Sequence, residues 1–156
     1  MSSNKTPEER FWAKVDKSGE CWEWIGYRDK DGYGRAPIAC ISTPAHRASW
    51  TFLNGPIPEG KQIDHLCRNR ACVKPDHLRI VTPKENLEHV GPHRGSRSGL
   101  RGVYWNKSRN SWFVQVMHNG QYYYGGGFTN IQDANEAAVN LRNRLFTHND
   151  LDRRAA

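Results

Sequence analysis

Between Ile63 and Asn86 the chain reads IDHLCRNRACVKPDHLRIVTPKEN, and this stretch holds a dense set of reactive side chains. Cys67, Cys72 and His77 follow a C-x4-C-x4-H spacing. Thiolates and imidazoles are the ligands of a structural zinc, which takes four of them in a tetrahedron. Three come from this loop, and the fourth must come from elsewhere; Cys21 and Cys40 are the candidates. The loop from Cys67 to Asp76 is polar and has no apolar periodicity, so a metal is a physical answer to what orders it. Ordinary buried thiols and a hydrogen-bonded histidine are the competing reading.

A second set brackets the same loop. Hydrolysing a phosphodiester needs an activated water, a cation on the phosphate and stabilisation of the leaving oxygen. His65 is suited to take the proton from water near neutral pH. Asp64 offers a hard oxygen ligand for Mg²⁺, and Asn86 offers another. Adjacent residues of a regular strand face opposite sides. Asp64 and His65 therefore share a site only if the strand ends or twists there. A purely structural Asp–His pair is the bland alternative.

These residues need elements to hold them. Gln62 to Leu66 reads as a strand and Leu78 to Val81 as a second. Thr82, Pro83 and Glu85 form a capping box with proline at the first helical position, so a helix starts at Pro83 and carries Asn86 in its first turn. Upstream, Thr6 to Asp16 reads as a capped helix with Phe11, Trp12 and Val15 on its apolar face. Cys21 to Ile25 alternates like a strand, another strand runs through Ala36 to Ile41, and together these suggest a hairpin. Ala45 to Leu53 reads as a helix stopped by Asn54-Gly55-Pro56. Arg47, at its start, opposes the helix dipole, so it faces either an anion or solvent.

Gly91 to Ser98 is rich in Gly, Ser and Arg and reads as a basic linker between domains. Beyond it, strands are expected over Gly102 to Trp105, Trp112 to His118 and Tyr122 to Phe128, with Asn119-Gly120 as a hairpin turn. Asn130 to Phe146 reads as a helix with Ala134, Ala137, Ala138, Leu141 and Leu145 on one face. The glycines at 125–127 either weaken the third strand or let another backbone approach. The tail from His148 is polar and expected to fray.

Composition sets outer bounds. The 156 residues carry a net charge of +7, which favours a polyanionic partner, nucleic acid above all. No acidic residue lies between Glu88 and Asp133, whereas Arg94, Arg97, Arg101, Lys107 and Arg109 do. At 37% hydrophobic the chain can build only a modest core, which argues for a staple. MSSNKTPEER has no apolar region of a secretory signal, and no run approaches the length of a membrane span. The expectation is an intracellular protein whose four cysteines hold metal rather than disulfides.

DHLCRNRACVKPDHLRIVTPKEN resembles the motif of the HNH (ββα-metal) endonucleases, of the phage and intron homing type. CWEWIG, YGR, AHR and GPIPEG are similar to segments of the same group, so the likeness covers about Cys21 to His89. The cysteine spacing also resembles the zinc-bound His-Cys box nucleases. The resemblance implies His65 as general base and Asp64 and Asn86 as ligands of a catalytic Mg²⁺ or Mn²⁺. It implies a structural Zn²⁺ on Cys67, Cys72 and His77, with Cys21 preferred over Cys40 as the fourth ligand. His77 stands where the motif commonly has asparagine. Arg47 or Arg35 would brace the scissile phosphate.

RGVYW, SWFVQV, YYYGGGF and DANEAAVNLRNRL resemble the AP-two/ERF type DNA-binding domain of plant ethylene-response transcription factors, a three-stranded sheet backed by a helix. That likeness implies DNA contacts from Arg101, Tyr104, Trp105, Lys107, Arg109, Trp112 and Gln115, with Arg94 and Arg97 added by the basic linker. At least one of Trp105, Trp112 and Phe113 must pack under the helix. The expectation is an α+β protein: a zinc-stapled ββα-metal nuclease domain over 1–90, a linker over 91–98, a small antiparallel sheet on one helix over 99–148, and a tail over 149–156. Its partner would be double-stranded DNA in the cytoplasm of a host cell, with no membrane. A homodimer would allow cutting of both strands, a monomer nicking. A non-catalytic zinc-containing DNA-binding regulator is the main alternative, and an RNA-binding protein a weaker one.

Overall fold

The computed structural model describes residues 5–154, and these form two compact units, one up to Pro83 and one from Lys84 onward. All sheets are small and antiparallel, so the chain is a mixed α+β protein. Among the described residues no helix is long and apolar enough to cross a membrane.

In the first unit, α1 (Pro7–Trp12) begins on the expected capping box. Thr6 Oγ1 accepts from the Glu9 amide at 3.1 Å, and Glu9 Oε2 accepts from the Thr6 amide at 2.7 Å. The helix is shorter than its periodicity suggests, because Val15 pairs with Trp24 as β1 (Val15–Asp16) against β2 (Glu23–Trp24). The expected hairpin between Cys21–Ile25 and Ala36–Ile41 is not formed. Instead, β3 (Arg35–Ile38) turns back on β4 (Ile41–Pro44) through Ala39 and Cys40, both in the left-handed region at φ 46° and 65°. Then come α2 (Ala45–Asn54), β5 (Gln62–His65) and β6 (Leu78–Val81). The core gathers Phe11, Trp24, Ala36, Ala45, Ala48 and Val73, with the Phe11 and Trp24 rings stacked at 5.0 Å.

The second unit holds α3 (Pro83–Glu88) from Lys84 onward, followed by β7 (Val103–Asn106), β8 (Ser111–His118), β9 (Gln121–Phe128), α4 (Ile131–Leu145) and α5 (Asp150–Arg154). The three strands form one sheet in the order β7-β8-β9, turning at Asn119-Gly120 with both residues at positive φ. Val103, Val114 and Val116 from the sheet meet Ala134, Ala138 and Leu141 of α4. The small alanines let helix and sheet approach closely, and Asn130 caps α4 by accepting from the Gln132 amide at 2.7 Å.

Two features explain why α3 belongs with this unit. Buried Glu88 accepts from the amide and hydroxyl of Thr147 at 2.8 and 3.0 Å and from the His148 amide at 3.1 Å. Arg101 donates to the carbonyls of Leu87, Glu88 and Val90 at 2.6 to 2.8 Å, satisfying groups that a helix C-terminus leaves orphaned. The tail is not frayed as far as it is described: Asn149 is buried, and Asp152 in α5 pairs with buried Arg142 at 2.6 and 2.9 Å. Residues 155–156 of the expected tail lie outside the described residues.

The glycine run has its explanation in Gly125. Gln115 pairs with Tyr124 and Val114 with Gly126, so Gly125 is the extra residue of a bulge in β9. A Cβ there would lie 2.5 Å from Val114 Cγ1 and 3.5 Å from Leu141. Gly125→Ala should therefore cost about 1–3 kcal/mol through overpacking. The check is denaturant unfolding, where the midpoint falls while the slope is kept.

Candidate active site and metal centre

Cys21, Cys67, Cys72 and His77 converge, their ligand atoms all within 4.8 Å of one another. Four stretches of chain bring them there. Cys21 precedes β2, Cys67 follows β5, and His77 sits in the 3-10 turn Pro75–His77 that leads into β6. The segment carrying Cys72 lies along β2. The Trp24 amide donates to the Ala71 carbonyl at 2.9 Å, and the Val73 amide donates to the Trp22 carbonyl at 2.8 Å. Val73 is fully buried in the core, and its carbonyl accepts from Ser49 Oγ at 2.5 Å. The loop expected to depend on a metal alone thus has an apolar anchor in Ala71, Cys72 and Val73.

The geometry fits zinc. A tetrahedral ion bound at about 2.3 Å to sulfur and about 2.0 Å to nitrogen leaves an S···N edge of roughly 3.6 Å. His77 Nδ1 lies 3.5 Å from Cys21 Sγ and 3.6 Å from Cys72 Sγ. The hydrogen bond from Cys72 is the main cause that pushes Cys67 down to about 5, and the same bond, then burial, pushes Cys72 up. Cys21 is raised mainly by burial. A divalent cation would displace the thiol protons and take all three as thiolates. The Lys74 amide, 3.4 Å from Cys72 Sγ, would support the charge. Cys40 is exposed at the β3–β4 turn and outside the cluster, whereas Cys21 lies within it.

His65 is 6% exposed, and its Nε2 lies 3.1 Å from the carbonyl of Cys72. A carbonyl only accepts, so Nε2 carries the hydrogen and Nδ1 keeps the lone pair. Burial is the largest influence holding His65 below the ordinary histidine range, although the Cys72 carbonyl, Cys67 and Asp64 oppose it. The ring is therefore neutral, the state a base requires. Asp64 pairs across the hairpin with Arg79, which donates from Nε to Oδ2 at 3.0 Å and completes an ion pair with Nη2 2.9 Å from the same oxygen. Asp64 and His65 alternate along β5, and the strand ends at His65, the condition that sharing one site sets. Asn86 lies on α3, in the second unit.

Two rings around His65 have no counterpart among the residues singled out from sequence. His46, in the first turn of α2, meets it edge-on with centroids 4.6 Å apart, and Tyr33 lies 6.0 Å away. His46 is pushed down to about 3, first by burial and then by His65, Arg47 and Arg35, so it is also neutral. Its Nδ1 is buried without a hydrogen-bond partner among the described residues. The AHR segment carries the signal for it, next to the arginine that the dipole argument picks out. The two candidate arginines differ in commitment: Arg35 donates to the hydroxyl and carbonyl of Ser42 at 3.3 and 3.2 Å, whereas Arg47 is half-buried on α2.

In the second unit, Arg94, Arg97, Lys107 and Arg109 are exposed, Tyr104 is 48% exposed and Gln115 is half-buried. Arg101 is otherwise engaged, with its guanidinium closing the end of α3. Trp105 pairs in register with Trp112, on the face of the sheet that Val103 and Val114 turn to the helix. Both side chains make contacts within the unit.

Residues 43–88 match the family model described as HNH endonuclease. The chain is 38% identical over 76 residues to Protein 3.8 of Escherichia phage T7, covering 49% of this chain and 63% of that protein. It is 40% identical over 88 residues to Protein 2.8 of the same phage, covering 56% and 60%. An uncharacterized gene 5.3 protein of Enterobacteria phage T3 is 35% identical over 73 residues, covering 43% of this chain and 72% of the relative. The match thus spans less than two thirds of the phage T7 relatives. No solved structure matches the chain.

Metal analysis of the purified protein should find about one zinc per chain. Cys21→Ser or Cys67→Ala should retain only residual zinc, while Cys40→Ser should keep it all. Equal loss in the Cys40 variant would contradict the ligand set.

Proposed function

The chain belongs to the HNH endonuclease family, and from that premise we propose that it is a DNA endonuclease of the homing type, acting inside a host cell with a divalent metal. The observation that carries the reading is the bond from His65 Nε2 to the Cys72 carbonyl at 3.1 Å, because it leaves Nδ1 as a positioned, neutral base. His65 takes a proton from water at Nδ1. The water oxygen bonds to phosphorus, and the bond from phosphorus to its leaving oxygen breaks. Asp64 and Asn86 would hold Mg²⁺ or Mn²⁺, a hard-oxygen donor set suited to either ion, which when bound stabilises charge on the phosphate and leaving oxygen. The Arg79 ion pair supports Asp64 as an oriented carboxylate. Arg47 braces the phosphate; what supports it over Arg35 is that Arg35 is spent on Ser42.

Zinc on Cys21, Cys67, Cys72 and His77 is structural in this reading, supported by their convergence and the S···N distances. The second unit acts as an AP-two/ERF-like module that adds affinity for DNA. Its support is a sheet backed by one helix and the exposed Arg94, Arg97, Lys107 and Arg109.

Wild-type protein should convert supercoiled plasmid to nicked or linear forms with Mg²⁺ or Mn²⁺. His65→Ala should lower the rate by about 100-fold or more, the usual weight of a general base, with zinc content unchanged. Wild-type protein that binds DNA yet stays inactive across both metals would leave only a DNA-binding regulator.

A further inference from the structure

The face of the β7-β8-β9 sheet turned away from α4 has an unusual lining. The register pairs Tyr104 with Phe113, Gln115 with Tyr124 and Met117 with Tyr122. Strand alternation puts these six side chains on one face, because Val103, Val114, Val116 and Tyr123 between them pack on the helix side. The face is open: Tyr104 is 48% exposed, Met117 60%, Tyr122 60% and Tyr124 72%. Tyr104 and Phe113 stack with centroids 5.4 Å apart and planes 30° apart, forming one flat apolar surface.

No arginine or lysine stands on this face. Closed duplex DNA is read through guanidinium and amide pairs to base edges and through cations on phosphates. Gln115 alone could make an edge contact here. Exposed aromatic rings instead suit the flat faces of bases that have left the helical stack, as on other sheet platforms for single strands. The surroundings suit a polyanion. No carboxylate residue occurs between Glu88 and Asp133, and exposed Lys107 and Arg109 follow β7 directly. Cations at the border with rings in the middle are how a strand is held by its backbone while its bases stack.

We propose that this face is a stacking platform for unpaired DNA bases, so that the protein engages single-stranded or locally opened DNA in preference to closed duplex. The inference rests on DNA being the substrate and specifies its form. Tyr104, Tyr122 and Tyr124 supply the rings, Gln115 the polar contact, and Lys107 and Arg109 the backbone attraction.

Fluorescence anisotropy with the full-length protein and a labelled 20-mer, as single strand and as duplex, tests this without added divalent metal, so that cleavage plays no part in the readout. The single strand should bind more tightly at ~150 mM salt. Tyr104→Ala and Tyr124→Ala should each weaken it about 5- to 100-fold, with the dependence on salt unchanged because no cation is lost. Tyr104→Phe and Tyr124→Phe should stay close to wild type, since the ring is kept. Duplex bound as tightly as single strand, or alanine variants without effect, would overturn the platform and leave the face for a protein partner. Photocross-linking of the wild type to bromodeoxyuridine-substituted single strands covers the case in which a variant fails to fold. Cross-links on β7, β8 or β9 support the platform, and cross-links confined to other segments refute it. A platform that fails beside active plasmid cleavage leaves the nuclease reading standing, and the converse separates them equally.

Discussion

Cys72 is fixed from three directions, and the candidate active site hangs on that. Its sulfur joins the Cys3His cluster, and its neighbours Ala71 and Val73 are bonded to the backbone around β2. Its carbonyl receives His65 Nε2. A backbone carbonyl can dictate the tautomer of a buried imidazole only if it does not move, because the histidine would otherwise turn to another partner. The cluster and the core anchor at Val73 provide that immobility. The proposed zinc site and the proposed base therefore meet on one residue, the first at its side chain and the second at its main chain.

The same economy holds α3. Its C-terminal carbonyls receive Arg101, and Glu88 gathers donors from Thr147 and His148. Arg142, itself buried, also donates to the Arg101 carbonyl and is paired with Asp152. Asn86, proposed here as a metal ligand, thus rides on a helix secured by residues distant in sequence. An isolated surface arginine contributes little, but a guanidinium that closes a helix end leaves several carbonyls unsatisfied when removed.

Much of this is legible in the amino-acid sequence. The strands from Gln62 and Leu78, the proline-started helix, the Asn119-Gly120 turn and the alanine face of α4 all follow from local periodicity and turn chemistry. The remainder depends on tertiary context. Ala39 and Cys40 make a tight turn without glycine or asparagine, so nothing local marks it. Arg101 sits in a basic stretch, and only the fold discloses that carbonyls surround it. Ala71, Cys72 and Val73 are a short apolar run in a polar loop, too brief for a periodicity argument to detect. Cys21 enters the ligand set by family likeness, since a partner so far along the chain has no spacing rule. His46 is marked only by its place in AHR beside Arg47, a weak signal because a histidine at a helix start has many ordinary roles.

The proposed base depends on the cluster holding His65 in the Nε2–H form. ¹⁵N-resolved NMR of the imidazole nitrogens reads this directly in the zinc-loaded protein and again after zinc removal. The account predicts a protonated Nε2 and an unprotonated Nδ1 near neutral pH, with that single tautomer lost once zinc is stripped. A proton on Nδ1 in the loaded protein, or a tautomer indifferent to zinc, would contradict it.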